Sequence, residues 1–160
     1  MFREMRRFKQ QITTEECKKV LKEEKRAAFS VIGDYGYPYT IPINFYYDEA
    51  DNIIYFHGAK SGHKIDAIKN NPKVSISIID QEDVIEEELT TYFRSIILFG
   101  KAKILQDDDE IYQAVNALGL KYCDDEIAVE KEIQREWKVL CCVEIIIEHL
   151  TGKQAIELVK

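Results

Sequence analysis

The sequence predicts a mainly β protein: a closed or nearly closed antiparallel barrel with a few flanking helices, folded as a single domain over residues 1–160. Three observations carry that prediction. Short apolar segments rich in β-branched residues follow one another, separated by Gly, Asn and Asp turn signals. Helical periodicity is confined to four short stretches. No repeat, low-complexity tract or linker divides the chain, whose 160 residues suffice for one core.

Thr13 to Glu24 reads as a helix. Thr13 with Glu16 fits a capping box, and Cys17, Val20 and Leu21 form an apolar stripe on a charged surface. Ala27 to Ile32 is a short strand, and Asp34-Tyr35-Gly36 turns the chain. Tyr39 to Tyr47 is the next strand, with Ile41, Ile43 and Phe45 on one face and Thr40, Pro42 and Asn44 on the other. Asp48 to Asn52 is a hairpin turn into Ile53 to His57. A helix with Ile65 and Ile68 on one side follows from Gly62 to Asn70, ended by Asn71-Pro72. Val74 to Ile79 and the long Phe93 to Leu105 are strands. Asp107 to Leu118 is a helix with acids in its first turn and Gly119 as its expected stop, and Glu126 to Trp137 is another. Val139 to Ile147 returns to strand, and Ala155 to Val159 is read as a last short one.

The net charge of −7 argues against general nucleic-acid binding, which needs a broad basic surface. No apolar run is long enough for a membrane span, so no membrane partner is expected. The basic opening MFREMRRFKQQ has no apolar segment behind it, so it is not a secretory signal and the cytoplasm is the expected location. Cys17, Cys123, Cys141 and Cys142 form no CxxC pair and no zinc spacing; no metal site is expected, and all four read as buried, reduced thiols. Cys141 and Cys142, adjacent in a strand, should face opposite sides.

The stretch YFHGAKSGHKIDAIKNNPKVSISIID (Tyr55–Asp80) stands out in this acidic chain. His57, Lys60, His63 and Lys64 surround two glycines at the start of a helix. A helix N-terminus presents unpaired N–H groups and partial positive charge. Gly58, Ser61, Gly62 and Lys64 could therefore cradle a phosphate with amides, a hydroxyl and an ammonium. By composition alone the stretch reads equally well as a solvated basic turn, and it matches neither a Walker loop nor GxGxxG. Pro42 inside IPINF marks either an edge strand or a strand whose backbone at Ile43, Asn44 or Phe45 meets a ligand. Arg94 and Ser95, in TYFRS, are polar positions in an apolar strand, open to a surface or a ligand role.

These elements together resemble the pyridoxamine-phosphate-oxidase-like FMN-binding split barrels, in particular the Nim-type (nitroimidazole resistance) group. The matching stretches are Met5-Arg6-Arg7, GYPYTIPINFYYD (36–48), IYFHGAKSGHKIDAIKNNPKVS (54–75), TYFRSIILFGKAKIL (91–105) and Thr151-Gly152-Lys153. The resemblance implies a six-stranded split barrel of Greek-key type, a homodimer, and FMN bound in a groove at the dimer interface. It implies that the FMN phosphate lies on the Gly62, His63 and Lys64 helix mouth with His57 and Ser61 close by. The flavin ring would lie against Pro42, Ile43, Asn44 and Phe45, and Tyr92, Arg94 and Ser95 would add to the pocket. The family oxidases end in an Arg-Leu-x-Pro type tail, whereas this sequence reads Glu-Leu-Val-Lys at 157–160, so oxidation of pyridoxamine phosphate itself is not expected. The expectation is an FMN-dependent oxidoreductase acting on a small electrophile such as a nitroimidazole, with a non-catalytic flavin-binding protein for storage or sensing as the alternative. His57 is the candidate proton donor, its other reading being to bind phosphate or orient the loop.

Overall fold

The computed structural model describes all 160 residues. In chain order the elements are α1 (Thr14–Glu23), β1 (Arg26–Ile32), β2 (Pro38–Asn44), β3 (Tyr46–Asp48), β4 (Ile53–Ala59), α2 (His63–Asn70), β5 (Lys73–Ile85), β6 (Thr90–Ile104), α3 (Asp108–Tyr122), α4 (Glu126–Glu136) and β7 (Leu140–Gln154). The strands form one antiparallel sheet in the order β2-β1-β5-β6-β7-β4-β3. Its two edge strands, β2 and β3, are separated in the chain by Phe45 alone. The sheet therefore curls until its ends meet through a covalent link, although no ladder closes it: a split barrel.

Seven strands replace the six expected because the Tyr39–Tyr47 strand breaks at Phe45. Up to Asn44 it pairs with β1; from Tyr46 it pairs with β4. Phe45 is fully buried, and α3 satisfies its backbone in place of a neighbouring strand. The Phe45 N–H donates to the Tyr122 hydroxyl (3.0 Å), and its carbonyl accepts from the Lys121 ammonium (3.0 Å). Tyr122 and Lys121 also reach the carbonyls of Lys25 and Glu24, so α3 stitches the end of α1 to the strand break.

The side chains of Ile43, Phe45, Ile54, Phe56, Ile76, Ile78, Ile96 and Leu98 fill the barrel by strand alternation. α1 closes one end with Cys17, Val20 and Leu21, its capping box formed as expected: the Glu16 N–H donates to Thr13 Oγ1 (3.2 Å) and the Thr13 N–H to Glu16 Oε2 (2.7 Å). α2 closes the other end with Ile65, Ala67 and Ile68. α3 and α4 pack outside the barrel over β4 and β7, around a smaller core that includes Val115, Val129 and Cys142. Cys141 joins the barrel core, so the two cysteines do face opposite sides.

Several boundaries differ from expectation. α3 runs through Gly119 to Tyr122; a Cβ there would sit 2.6 Å from Val129 Cγ1, so this glycine admits α4 rather than ending the helix. β7 continues past Ile147 to Gln154 because a bulge opposite Phe99 and Gly100 absorbs Glu148. Ala155–Val159 is not a strand: Ile156–Leu158 form a 3₁₀ turn. Cys123, just past the end of α3, is exposed, whereas the other three cysteines are buried. No helix is long and apolar enough to cross a membrane.

Candidate functional site

The barrel splits beside β4. Continuing the β3–β4 register past its last pair, Tyr46 with Tyr55, sets Asn44 opposite His57 and Pro42 opposite Ala59. No ladder forms there, because β2 stays with β1. Pro42 has no N–H to offer a strand on that side, which helps to keep the two edges apart. His57, Gly58 and Ala59 are paired with β7 on one edge and unpaired on the other. The split thus exposes backbone hydrogen-bonding groups of both strands, in the segments read from the sequence as IPINF and His-Gly-Ala.

The basic residues clustered in the sequence separate in space. Lys64 turns toward the split: a Cβ on Gly58 would lie 3.2 Å from its Cε and 3.3 Å from its Nζ, so Gly58 provides the room for it. No carboxylate pairs with Lys64. Gly62 caps α2 with φ +134°, and no side chain caps the helix, which leaves the amides of His63 and Lys64 ahead of its first internal bonds. Ser61 is exposed beside them. His63 serves the fold: its Nε2 accepts the Asp34 N–H at 3.1 Å and its ring stacks on Tyr39 at 4.1 Å, clamping the β1–β2 turn. Lys60 turns to a different cavity, shared with Lys69 and Cys141.

His57 points away from Lys64, out of the barrel. It lines a cavity of about 360 Å³ between β4, α3 and α4, together with Asn44, Val115, Leu118, Val129 and Ile133. Glu132 and Glu136 stand at the same cavity. His57 keeps an exposed face, but the helices crowd its cavity side, and that partial desolvation pushes its pKa below its ordinary value, with the two carboxylates opposing it only in part. Burial also lowers the Lys121 ammonium to about 8, since its partners are carbonyls and the Phe45 ring rather than a carboxylate.

The TYFRS positions do not converge on the split. Arg94 lies at the α1 end of the barrel, where its Nε donates to Asp80 Oδ2 at 2.8 Å. The Asp80 side chain is only 6% exposed. The Tyr92 hydroxyl donates to Glu88 at 2.7 Å. Ser95 faces outward on the same side of β6 as Ile97 and Phe99. Pro42 borders a shallow groove of about 380 Å³ on the outer sheet face with Ser77 and Ile79, while Ile43 and Phe45 are buried inward. The residues that sequence reasoning missed are Lys121, Tyr122, Glu132 and Glu136.

The family model described as pyridoxamine 5'-phosphate oxidase matches residues 13–154. The chain belongs to this family. Similar solved structures share the fold at low identity. One is a candidate 5-nitroimidazole antibiotic resistance protein from Bacteroides thetaiotaomicron, 20% identical, with a TM-score of 0.73 over 90% of this chain and 86% of that one. A flavocytochrome from Azotobacter vinelandii is 17% identical, with a TM-score of 0.77 over 95% and 72%. An FAD-binding protein from Mesorhizobium loti is 20% identical, with a TM-score of 0.64 over 91% and 96%. No functionally curated protein matches the sequence.

Proposed function

We propose that the protein binds FMN at the barrel split and works as a homodimeric flavin-dependent oxidoreductase on a small electrophile such as a nitroimidazole. The observation that carries this reading is the split itself. Two unpaired strand edges flank a gap suited to a planar, hydrogen-bonding ring. At its end lie an uncapped helix start and the unpaired Lys64 ammonium, which suit a phosphate. A side chain at Gly58 would press on the end of Lys64 and shift it by a few tenths of an ångström. Flavin-binding and nitroimidazole-resistance relatives of the same fold support it. The outer sheet face exposes Ile79, Ile97 and Phe99 (58%, 46% and 42%), which supports a second copy packing there.

Bound FMN supplies the electrons, because no side chain here is a hydride donor. The chain's own part is to bind and orient. Lys64 and the α2 amides hold the phosphate, and β2 and β4 hold the ring through backbone groups. Partial desolvation of His57 lowers its pKa from its ordinary value and so favours the neutral imidazole. It then presents one N–H and one acceptor nitrogen, which suits orienting a ligand better than delivering a proton from an imidazolium.

Titration of the protein with FMN, FAD and riboflavin, followed by flavin absorbance and fluorescence, tests the reading. FMN should saturate, and riboflavin, which lacks the phosphate, should bind more weakly. The anaerobically reduced complex should be reoxidised by a nitroimidazole, and light scattering on dilution should show a dimer. A protein that stays colourless in excess flavin rules the reading out.

A further inference from the structure

The α3–α4 cavity is separate from the phosphate-binding elements. His57 and Gly58 are neighbours on β4, yet Gly58 meets Lys64 while His57 lines the cavity on the other side. The cavity is walled by Val115, Leu118, Val129, Ile133 and Leu140, and its volume of about 360 Å³ is that of roughly a dozen waters, or one to two small rings. It exists because two helices close over the strand: Gly119 lets α4 approach α3, with Val129 packed where a side chain would stand.

The polar groups at this cavity are few. The His57 side chain makes no hydrogen bond within the chain, so its imidazole is free for an occupant. The Asn44 carbonyl oxygen accepts from Arg26 Nη1 at 3.1 Å, which turns that oxygen away and leaves the amide N–H groups unengaged. The lining contains two carboxylates, Glu132 and Glu136, and no lysine or arginine. Arg135 pairs with both of them, at 2.6 Å and 3.2 Å, but it is an exposed residue outside the lining, and one cation leaves the pair of acids with net negative charge. Exposed ion pairs of this kind screen a carboxylate without removing it.

Resting on the flavin reading above for the source of electrons, we infer that this cavity is the acceptor site and takes a flat, uncharged or cationic molecule while rejecting phosphorylated and carboxylated ones. Asn44 and His57 stand both at the opening of the split and in the cavity lining, so an occupant there lies against the edge of the proposed flavin site. The segregation is chemical: an anion is held where Lys64 and the helix amides are, and repelled where Glu132 and Glu136 are. An apolar body fills the cavity, and a ring N–H or nitro oxygen meets His57 and the Asn44 amide.

Three probes with one body and different charge test this: 4-nitrobenzylamine, 4-nitrobenzyl alcohol and 4-nitrobenzoate. Their affinities are measured by calorimetry or by NMR line shifts, with and without FMN. The amine and the alcohol should bind, and the benzoate should bind about tenfold more weakly. The gap should narrow at high salt and widen in Arg135→Ala. Glu132→Lys with Glu136→Lys should reverse the order. Ala128→Trp, a change at an exposed cavity-lining position that a folded helix tolerates, should abolish binding of all three probes and leave FMN affinity unchanged; Leu118→Phe is the second variant. Benzoate binding as tightly as the amine, or probe binding unaffected by Ala128→Trp in a folded protein, overturns the inference. Probe binding without any FMN binding would instead remove the flavin reading and leave the cavity's ligand class standing.

Discussion

The two ends of the barrel each carry a basic residue near a strand, and they use it in opposite ways. At the α1 end, Arg94 is tied to Asp80, and a third of its side chain remains exposed. At the α2 end, Lys64 lies over Gly58 and forms no ion pair, beside a helix start that no side chain caps. A cation with an internal counter-ion belongs to the fold, since removing either partner strands the other in a low-dielectric place. A cation without one is free to pair with a ligand anion. The same contrast separates His63, committed to the Asp34 N–H and the Tyr39 ring, from His57, which has no such commitment.

Breaking the α1 end should give the largest effect. Asp80→Ala leaves Arg94 without its partner and should destabilise the protein by about 3 kcal/mol in urea unfolding, the low end for a broken buried pair because Arg94 can turn to water. FMN affinity should be nearly unchanged at saturating folded protein. Asp80→Asn should cost less. A loss of flavin binding without loss of stability would move Arg94 from the fold into the site.

Lys64→Ala should give the mirror image. Stability should stay within about 0.5 kcal/mol. FMN affinity should fall roughly tenfold to hundredfold, the loss of one charge-assisted contact of about 1.5–3 kcal/mol. Riboflavin affinity should not move. Equal losses for FMN and riboflavin would mean that Lys64 supports the loop and does not touch the phosphate.

Lys121 is the intermediate case, a buried ammonium whose partners are the Glu24 and Phe45 carbonyls. Its native pKa of about 8 lies below its ordinary 10.5. Above about pH 8 the native protein has released a proton that the unfolded chain still holds, so this group makes stability rise with pH. The buried thiols of Cys17 and Cys142, raised to about 11 and about 12, act in the opposite sense once unfolded thiols ionise near 9. These thiol effects cancel in the difference between wild type and Lys121→Met, so the rise should show in that difference from about pH 8 up toward the lysine's ordinary value of 10.5. A difference that is flat across that window would mean that the ammonium is solvated at the strand break.

What could be read beforehand was local, and what could not was the pairing of distant residues. The α1 capping box spans four residues, and the opposed cysteines follow from strand alternation, so both were legible. The split segments were legible too, because a proline inside an apolar strand and glycines before a helix carry their own physical meaning. The division of the basic cluster was not. Whether Lys60 or Lys64 faces the split depends on β4 having β7 on one edge and nothing on the other, a fact about residues 140–142. Arg94 stayed open to a surface or a ligand role because its partner Asp80 is fourteen positions earlier, at a bulge in β5. The Phe45 break depends on Tyr122, 77 positions away. Glu148 and His149 hid the second half of β7, since a bulge is what accommodates them.

The smallest effect, and the sharpest on which face His57 serves, is its titration. In the native protein burial lowers its pKa, with Glu132 and Glu136 pulling weakly the other way. The native state then resists a proton that the unfolded chain takes up near its ordinary value of about 6.5. Stability from this group is present above that pH and is lost as pH falls through the window down to the native pKa. Urea midpoints for wild type and His57→Gln, compared from about pH 7.5 to about pH 5, should therefore converge or cross as the solution is acidified, the wild type falling more steeply. An imidazole facing a bound phosphate, or dominated by the two glutamates, would have a raised pKa, and the wild type would gain stability on acidification relative to the variant. The sign of the difference separates the two placements. Repeating the comparison with FMN bound asks whether the flavin phosphate reaches His57. The slope should keep its sign if the phosphate sits where we propose, at Lys64 and the helix amides, because Gly58 meets Lys64 on one face of β4 and His57 lines the cavity on the other.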